Sequence, residues 1–169
     1  MPSLFARLRP APAPSSPAYD AAVNVARAPH WYREGQVPDT MDGRFAVLAT
    51  VLALVNLRLE EFGADGNSAA VALTETFIAD MDAQMRQAGF GDPSLGKQVR
   101  SLVGSLASRV DRWRKLLADG GDWNAAVSTG LYRDAPVSAE ALAHSVAALK
   151  AFDRTLFAAE SAATLEGRW

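Results

Sequence analysis

Residues 91–97 have the sequence GDPSLGK and carry the glycine and lysine spacing of a phosphate-binding loop. In such loops backbone N–H groups and the lysine hold phosphate oxygens, and a Ser or Thr at the eighth position ligates magnesium. The eighth position here is Gln98, and Pro93 has no N–H group to donate. The segment also follows a predicted helix, whereas a phosphate-binding loop follows a buried strand. A tight turn between two helices is therefore favoured over a nucleotide site.

Paired carboxylates are the second candidate for chemistry. Asp80 and Asp82 lie about 200° apart around a helix that turns about 100° per residue, so they cannot share one small acid–base site. Asp82 and Arg86 have the i,i+4 spacing of helical ion pairs. We therefore expect a surface ion pair there and no catalytic pair.

The chain has two histidines and no cysteine, which excludes disulfides, thiolate nucleophiles and Cys-containing metal sites. His30, beside Trp31 and Tyr32, is predicted to pack against neighbours or to form hydrogen bonds. His144 is expected on the solvated face of its helix, opposite the apolar side chains. These residues predict no enzyme, no metal site and no cofactor.

The elements that position these residues are predicted to be helices. The 169 residues are 49% hydrophobic, enough for the core of one domain. Apolar residues recur at helical spacing between Gly, Pro and Asp, without strand-like alternation or a long repeat. The sequence predicts an all-α fold: a single bundle-like domain of five or six helices at 18–169, after a flexible Pro/Ala-rich tail at 1–17. The helices are predicted at 17–28, 43–61, 68–88, 92–119, 123–132 and from 138 onward.

Two of these helices have distinctive apolar patterns. Helix two contains the longest apolar run, residues 45–59, which is shorter than the roughly 20 residues of a membrane-spanning helix. We expect it to be the buried centre of a soluble bundle. Helix four is predicted to begin with Asp92 as its N-cap and Pro93 at its first position. Its apolar stripe comprises Val99, Leu102, Val103, Leu106, Val110, Trp113 and Leu117.

Helix four also concentrates basic residues. Between residues 97 and 117 there is one acidic residue, Asp111, and there are six basic ones: Lys97, Arg100, Arg109, Arg112, Arg114 and Lys115. Four members of this set, Lys97, Arg100, Arg112 and Lys115, lie within about 60° of a common line opposite the apolar stripe. They form either an ordinary solvated face or a docking surface for an anionic partner or lipid head groups. The formal net charge of −2 argues against nucleic-acid binding.

An irregular stretch at 30–45 has the sequence HWYREGQVPDTMDGRF and mixes turn residues with aromatic ones. Loops carry binding and catalytic residues more often than cores do. Thr40 or Asp42 is expected to cap helix two. Asp39 and Arg44 are expected to fix the loop through a hydrogen-bonded ion pair.

Arg44 lies where this loop meets the apolar run, and two roles for it remain open. The first, which we favour, is a structural clamp on Asp39, Asp80 or Asp82, because a loop packed on a core helix usually satisfies its charges internally. The second is a guanidinium presented to a partner. Lysine could not reproduce the bidentate geometry of either role.

Four segments resemble the ubiquinol–cytochrome c chaperone family. They are PHWY at 29–32, GQVPDTMDGRF at 35–45, FIADMD at 77–82 followed by Arg86, and GFGDPSLGK at 89–97. The resemblance is strong over 29–117 and weak over the C-terminal third. It departs at Ala107-Ser108-Arg109, where family members tend to have an aromatic residue and a glycine before the arginine.

The resemblance implies a non-enzymatic assembly chaperone for ubiquinol–cytochrome c reductase, respiratory complex III. Such a protein binds newly made cytochrome b until haem insertion and assembly proceed, and the mitochondrial relative works with a small partner subunit. The short N-terminus favours a bacterial cytoplasmic protein, in peripheral contact with the cytoplasmic face of the inner membrane. The alternative is a peripheral helical adaptor that binds an anionic membrane surface through the basic face of helix four.

Partner binding is assigned to polar and aromatic residues of these motifs and to basic residues of helix four. The assigned residues are His30, Tyr32, Pro38, Asp39, Thr40, Asp42, Arg44, Asp80, Asp82, Arg86, Asp92, Lys97, Arg100 and Arg109.

Overall fold

A computed structural model describes residues 15–89 and 91–169, with the backbone alone described at 92 and 93. Within these ranges the chain forms seven α-helices and no strand, which confirms the all-α prediction. The helices are α1 (Pro17–Ala26), α2 (Met41–Glu60), α3 (Gly63–Gln87), α4 (Asp92–Asp119), α5 (Trp123–Val127), α6 (Ala139–Ala158) and α7 (Ser161–Leu165). A 3₁₀ turn (Pro29–Trp31) precedes α2, and a π-helical turn (Ser128–Tyr132) follows α5. Of the tail predicted at 1–17, residues 1–14 lie outside the described part of the chain.

α2 is the central helix, as its apolar run predicts. Every residue from Ala46 to Asn56 is buried, and α1, α3, α4 and α6 pack around it. Its N-terminus is capped by Thr40, whose hydroxyl accepts the Gly43 N–H at 3.2 Å. Within the described ranges, each helix falls short of the length or the apolarity needed to cross a membrane.

α3 begins earlier than the sequence predicts. The expected loop at 63–67 is wrong, because Gly63 reverses the chain with a φ of 64° and the helix starts there. Gly66 then lies against the end of α2: a Cβ at this position would be 1.9 Å from the Leu59 carbonyl oxygen. The glycine therefore serves a close approach between two helices, a role that its sequence neighbours do not reveal.

The structure of α4 confirms the centre of the predicted stripe and corrects one stripe member and the predicted N-cap. Leu106, Val110 and Trp113 are buried, but the last buried leucine is Leu116 and not Leu117, which is 38% exposed. The N-cap is Gly91, so Asp92 is the first helical residue and not the cap. The helix ends at Gly120, whose φ of 65° is the left-handed conformation that closes many helices.

The C-terminal elements pack on the far end of α2. α6 starts at the predicted cap, where the Ser138 hydroxyl accepts the Ala141 N–H at 3.2 Å. Its last carbonyls receive an unusual donor: the Arg58 guanidinium of α2 donates to the carbonyls of Leu156, Phe157 and Ala159 at 3.0, 3.0 and 3.1 Å. α7, which the sequence analysis missed, follows directly.

Candidate functional site

The loop between α1 and α2 is anchored from its inner side. Trp31 is buried, and its indole N–H donates to the Val25 carbonyl at 2.8 Å. The Tyr32 hydroxyl donates to the Ala26 carbonyl at 3.1 Å. Val37 is buried too, with its N–H donating to the Trp31 carbonyl at 3.0 Å. The loop thus has a fixed backbone although it lies between two helices.

Tyr132, from the π-helical turn, is the strongest anchor of this loop. Its hydroxyl lies 2.6 Å from the Gly35 carbonyl oxygen and 2.7 Å from the Ser145 hydroxyl oxygen. Because the phenol has one proton and gives it to the carbonyl, Ser145 donates to the Tyr132 oxygen. Burial raises the pKa of Tyr132, while the Ser145 hydrogen bond acts weakly in the opposite direction. Gly35 leaves no room for a side chain, since a Cβ would be 2.6 Å from the Trp31 carbonyl oxygen.

The two histidines meet across the same contact between loop and α6. Nδ1 of His30 lies 3.1 Å from Nε2 of His144, within hydrogen-bonding distance. The prediction for His30 is confirmed, but the prediction that His144 is solvated is wrong, because the loop folds back over that face of α6. Burial, and then the neighbouring His144, lowers the pKa of His30, while Glu34 raises it by less.

A groove of about 1050 Å³ opens on the outer side of the loop. The loop, the end of α1, the start of α2, the second half of α3 and the first half of α4 enclose it. Its apolar lining comprises Val23, Ala26, Met41, Phe45, Leu48, Met81, Met85 and Leu102. Its polar lining includes Arg27, Arg33, Tyr32, Asp39, Thr40, Asp42, Arg44, Asp80 and Arg133. The site is therefore an apolar trough with a charged rim.

Two ion pairs shape the rim. Nε of Arg44 lies 2.6 Å from Oδ1 of Asp39, which confirms the predicted pair, and this hydrogen bond lowers the pKa of Asp39. Both side chains are well exposed, at 67% and 58%, so the pair lies on the surface and not against the core. Asp42 does not cap α2; it pairs with Arg133 at 3.1 Å instead. Pro38 is exposed, and its carbonyl accepts the Thr40 N–H at 2.8 Å.

The acids of α3 have separate partners, as their angular separation predicts. Asp80 lines the groove and accepts the Tyr19 hydroxyl of α1 at 2.5 Å and the Gln84 amide at 2.9 Å. Burial, and then this bond to Asp80, raises the pKa of Tyr19 far above its usual value. Asp82 pairs with Arg86 at 2.8 Å, which confirms the predicted i,i+4 ion pair.

Arg109 does not lie on the basic surface of α4. It is only 5% exposed and donates to the Gly130 carbonyl at 3.1 Å and the Ser105 hydroxyl at 2.6 Å. Its guanidinium lies 5.5 Å from the centre of the Phe45 ring. Burial, followed by repulsion from Arg112 and Arg133, lowers the pKa of Arg109 to about 10. An accessible partner-binding role for Arg109 is therefore wrong, and the residue ties α4 to the π-helical turn.

The groove gathers one part of the predicted site residues. It collects Tyr32, Asp39, Thr40, Asp42, Arg44 and Asp80. Outside its lining remain His30, Pro38, Asp82, Arg86, Lys97, Arg100 and Arg109, and the side chain of Asp92 lies outside the described residues. Sequence reasoning missed Met41, Met81 and Met85; the last two have the spacing of an ordinary core stripe, which hides their role. No group of three or more His, Asp or Glu side chains in the described ranges could hold a metal ion.

Comparison with known proteins decides the family. The sequence profile of the ubiquinol–cytochrome C chaperones matches residues 33–169. This chain belongs to the ubiquinol–cytochrome c chaperone family. The crystal structure of the Cbp3 homolog from Brucella abortus is similar, with 26% identity and a TM-score of 0.75 over 89% of this chain and 84% of that one. No curated protein matches the chain.

The family match extends the similarity seen in the sequence motifs. It runs through the C-terminal third, where the motifs are weak, and it begins at Arg33, just after the PHWY segment. The groove, α4 and the anchor formed by Tyr132 all lie largely within the matched residues.

Proposed function

We propose that this member of the ubiquinol–cytochrome c chaperone family binds newly made cytochrome b in the groove and holds it during assembly of respiratory complex III. The observation that carries the proposal is the groove itself, with an apolar floor that includes Met41, Met81 and Met85. Methionine side chains are flexible and polarizable, so they adapt to different apolar surfaces. Such a floor suits a client whose side chains vary along its length.

The dimensions of the groove suit a short helical segment. A helix about 10 Å wide rises about 5.4 Å per turn, so two turns occupy roughly 850 Å³. The groove has about 1050 Å³. An amphipathic or apolar helix laid in a groove is a common mode of peptide recognition. Cytochrome b as client is also what the family resemblance implies.

The polar rim provides orientation. Two fixed ion pairs, Asp39–Arg44 and Asp42–Arg133, present both charges at the groove edge. A segment with an apolar centre and polar ends would place its ends against these pairs. We propose that the protein acts in the cytoplasm at the inner face of the membrane, without catalysis, and with cytochrome b and a small partner subunit as its protein partners.

The groove can be tested through Met41, because this residue is 56% exposed and its replacement leaves the core intact. Met41→Asp places a charge in the groove at the first position of α2, where an acid is compatible with the helix dipole. The matched control is Val71→Asp, at an apolar residue 57% exposed on α3 and outside the groove lining. Each tagged variant is used to capture cytochrome b from solubilised cells.

We expect the wild type and Val71→Asp to retain cytochrome b and Met41→Asp to lose most of it. Equal capture by all three variants would remove the groove from the proposal. No capture by the wild type would remove cytochrome b as the client. Deletion of the gene then tests the assembly role by itself: cytochrome b content and complex III activity should fall while other respiratory complexes persist.

A further inference from the structure

Four cations form a line on the solvent side of α4, and we call Lys97, Arg100, Arg112 and Lys115 the basic ridge. All four are exposed, and within the described residues none of them has an ion pair or a side-chain hydrogen bond. They lie within about 60° of a common line along the helix. Arg114, by contrast, is neutralised by Asp111 at 2.7 Å and Glu60 at 2.8 Å.

The ridge is flat because small residues separate its two cation pairs. The exposed residues between the pairs on this side are the small Ser101, Gly104 and Ser108 and one acid, Asp111, which pairs with Arg114. At about 1.5 Å per residue, Arg100 and Arg112 are roughly 18 Å apart, and Lys97 and Lys115 roughly 27 Å. The long side chains of the four cations therefore extend further from the helix axis than their neighbours on this face. One flat surface can contact all four at the same time.

The positive charge of the ridge is local. The whole chain has a formal net charge of −2, so no general attraction to polyanions is expected. The cluster of Asp111, Arg114 and Glu60 leaves one negative charge beside the ridge, and exposed Asp119, one turn beyond Lys115, adds a second. The four cations therefore leave this face positive by two charges. The ridge also lacks the exposed aromatic side chains on which nucleotide bases stack. A planar array of negative charges fits this pattern best.

We propose that the basic ridge holds α4 flat against a bilayer that contains anionic lipids. Its exposed side chains are charged or small, so the contact is electrostatic adsorption without insertion of apolar groups. Clusters of four to eight Lys and Arg residues bind anionic membranes in this way. The Debye length is about 8 Å at physiological salt, so the contact weakens steeply as salt rises.

This orientation has a consequence for the groove, and that consequence rests on the proposed function. Gln98 and Leu102 line the groove and lie about 100–140° around α4 from the line of the ridge. With the ridge on the bilayer, the groove opens sideways along the membrane surface. A client segment that leaves the lipid could then enter the groove directly.

The test is co-sedimentation of the purified full chain with vesicles. Vesicles of phosphatidylcholine alone are compared with vesicles that contain about 30% phosphatidylglycerol, an anionic lipid. We expect binding to the anionic vesicles at about 50 mM NaCl, release at about 500 mM, and no binding to phosphatidylcholine. Each cation near such a surface contributes about 1 kcal/mol, or about fivefold, so Arg112→Gln/Lys115→Gln should lower partitioning roughly 25-fold.

The matched control, Arg154→Gln/Arg168→Gln, removes the same charge from exposed positions of α6 and the C-terminus and should bind like the wild type. Asp111→Asn removes the negative charge beside the ridge and should strengthen binding a few-fold. The proposal is overturned if the wild type fails to sediment with anionic vesicles at low salt, or if both double variants lose binding equally. Binding to a soluble polyanion such as heparin without binding to vesicles would also overturn it. None of these readouts depends on cytochrome b.

Discussion

The two sides of the loop between α1 and α2 differ in burial and in the interactions that hold them. On its inner side Trp31, Gly35 and Val37 are buried, and hydrogen bonds of 2.8 Å from the Trp31 indole and 2.6 Å to the Gly35 carbonyl hold the loop in place. On its outer side Asp39 and Arg44 are exposed and held by one surface ion pair. The inner side contributes stability, while the outer side presents charge at the groove. Val37 and Asp39 are only two residues apart in the chain, yet replacing them should have different consequences.

Gly35→Ala should lower the free energy of unfolding the most. A Cβ at this position would lie 2.6 Å from the Trp31 carbonyl oxygen and 2.7 Å from the Ser145 hydroxyl oxygen. Overpacking of this kind costs about 1–3 kcal/mol, and a backbone neighbour places this site near the upper end. Urea unfolding measures the loss. Gly104→Ala is the control, because a Cβ there meets nothing within 4 Å. This control should be neutral or stabilising by up to about 1 kcal/mol, as alanine favours helices.

Tyr132→Phe should cause the second-largest loss in the free energy of unfolding. It removes the donor to Gly35 and the acceptor of the Ser145 hydrogen bond, and leaves both groups buried. Buried polar groups left without partners cost about 1–3 kcal/mol. Tyr32→Phe provides the comparison, since its hydroxyl is half-buried and makes one hydrogen bond. Equal midpoints for the two variants in urea would mean that the inner side of the loop is not held by Tyr132.

The histidine pair should give a smaller effect that depends on pH. The pKa of His30 is lowered by burial and by His144, so the unfolded chain binds more protons than the folded one just below the usual value of 6.5. The contribution of His30 to stability should therefore be fully present above pH 6.5. It should be lost as the pH falls from 6.5 toward the pKa of His30 in the folded state. Thermal melting between about pH 7.5 and 5.5 measures the slope. His30→Gln should flatten the slope; an unchanged slope would assign it to other groups.

Arg44→Lys should have the smallest effect on stability. Exposed ion pairs contribute little to the free energy of unfolding, so the melting temperature should hardly change. Capture of cytochrome b should nevertheless fall, because lysine lacks the guanidinium geometry at the groove rim. A clear drop in melting temperature would restore the structural clamp that the sequence alone favours. Asp39→Asn, which breaks the same pair from the other side, should then melt lower as well.

Residue spacing along the chain correctly predicts the features that are determined within one helix or one loop. The Asp82–Arg86 pair, the Ser138 cap and the buried centre of α2 all follow from spacing along the chain. The loop pair Asp39–Arg44 follows in the same way, because its members are five residues apart. In each case the partner lies within about one helical turn or within the loop itself.

Spacing fails where a distant element decides the outcome. His144 is covered by a loop 114 residues away in sequence, and Arg109 is buried by the π-helical turn. Leu117 is 38% exposed whereas the adjacent Leu116 is buried, so the apolar stripe alone does not identify the buried leucine at the end of α4. The groove is likewise formed by six segments, including Arg133 after the π-helical turn, and none of them carries a sequence signal for a cavity.

The Arg58 guanidinium at the end of α6 also has a consequence for biosynthesis. Its three carbonyl partners lie 98, 99 and 101 residues further along the chain. A nascent chain that ends before residue 156 therefore lacks these carbonyl acceptors, although Glu61 can already pair with the guanidinium. Contacts of such long sequence separation form late and slow folding. The end of α2 can therefore reach its final packing only after α6 has been synthesised.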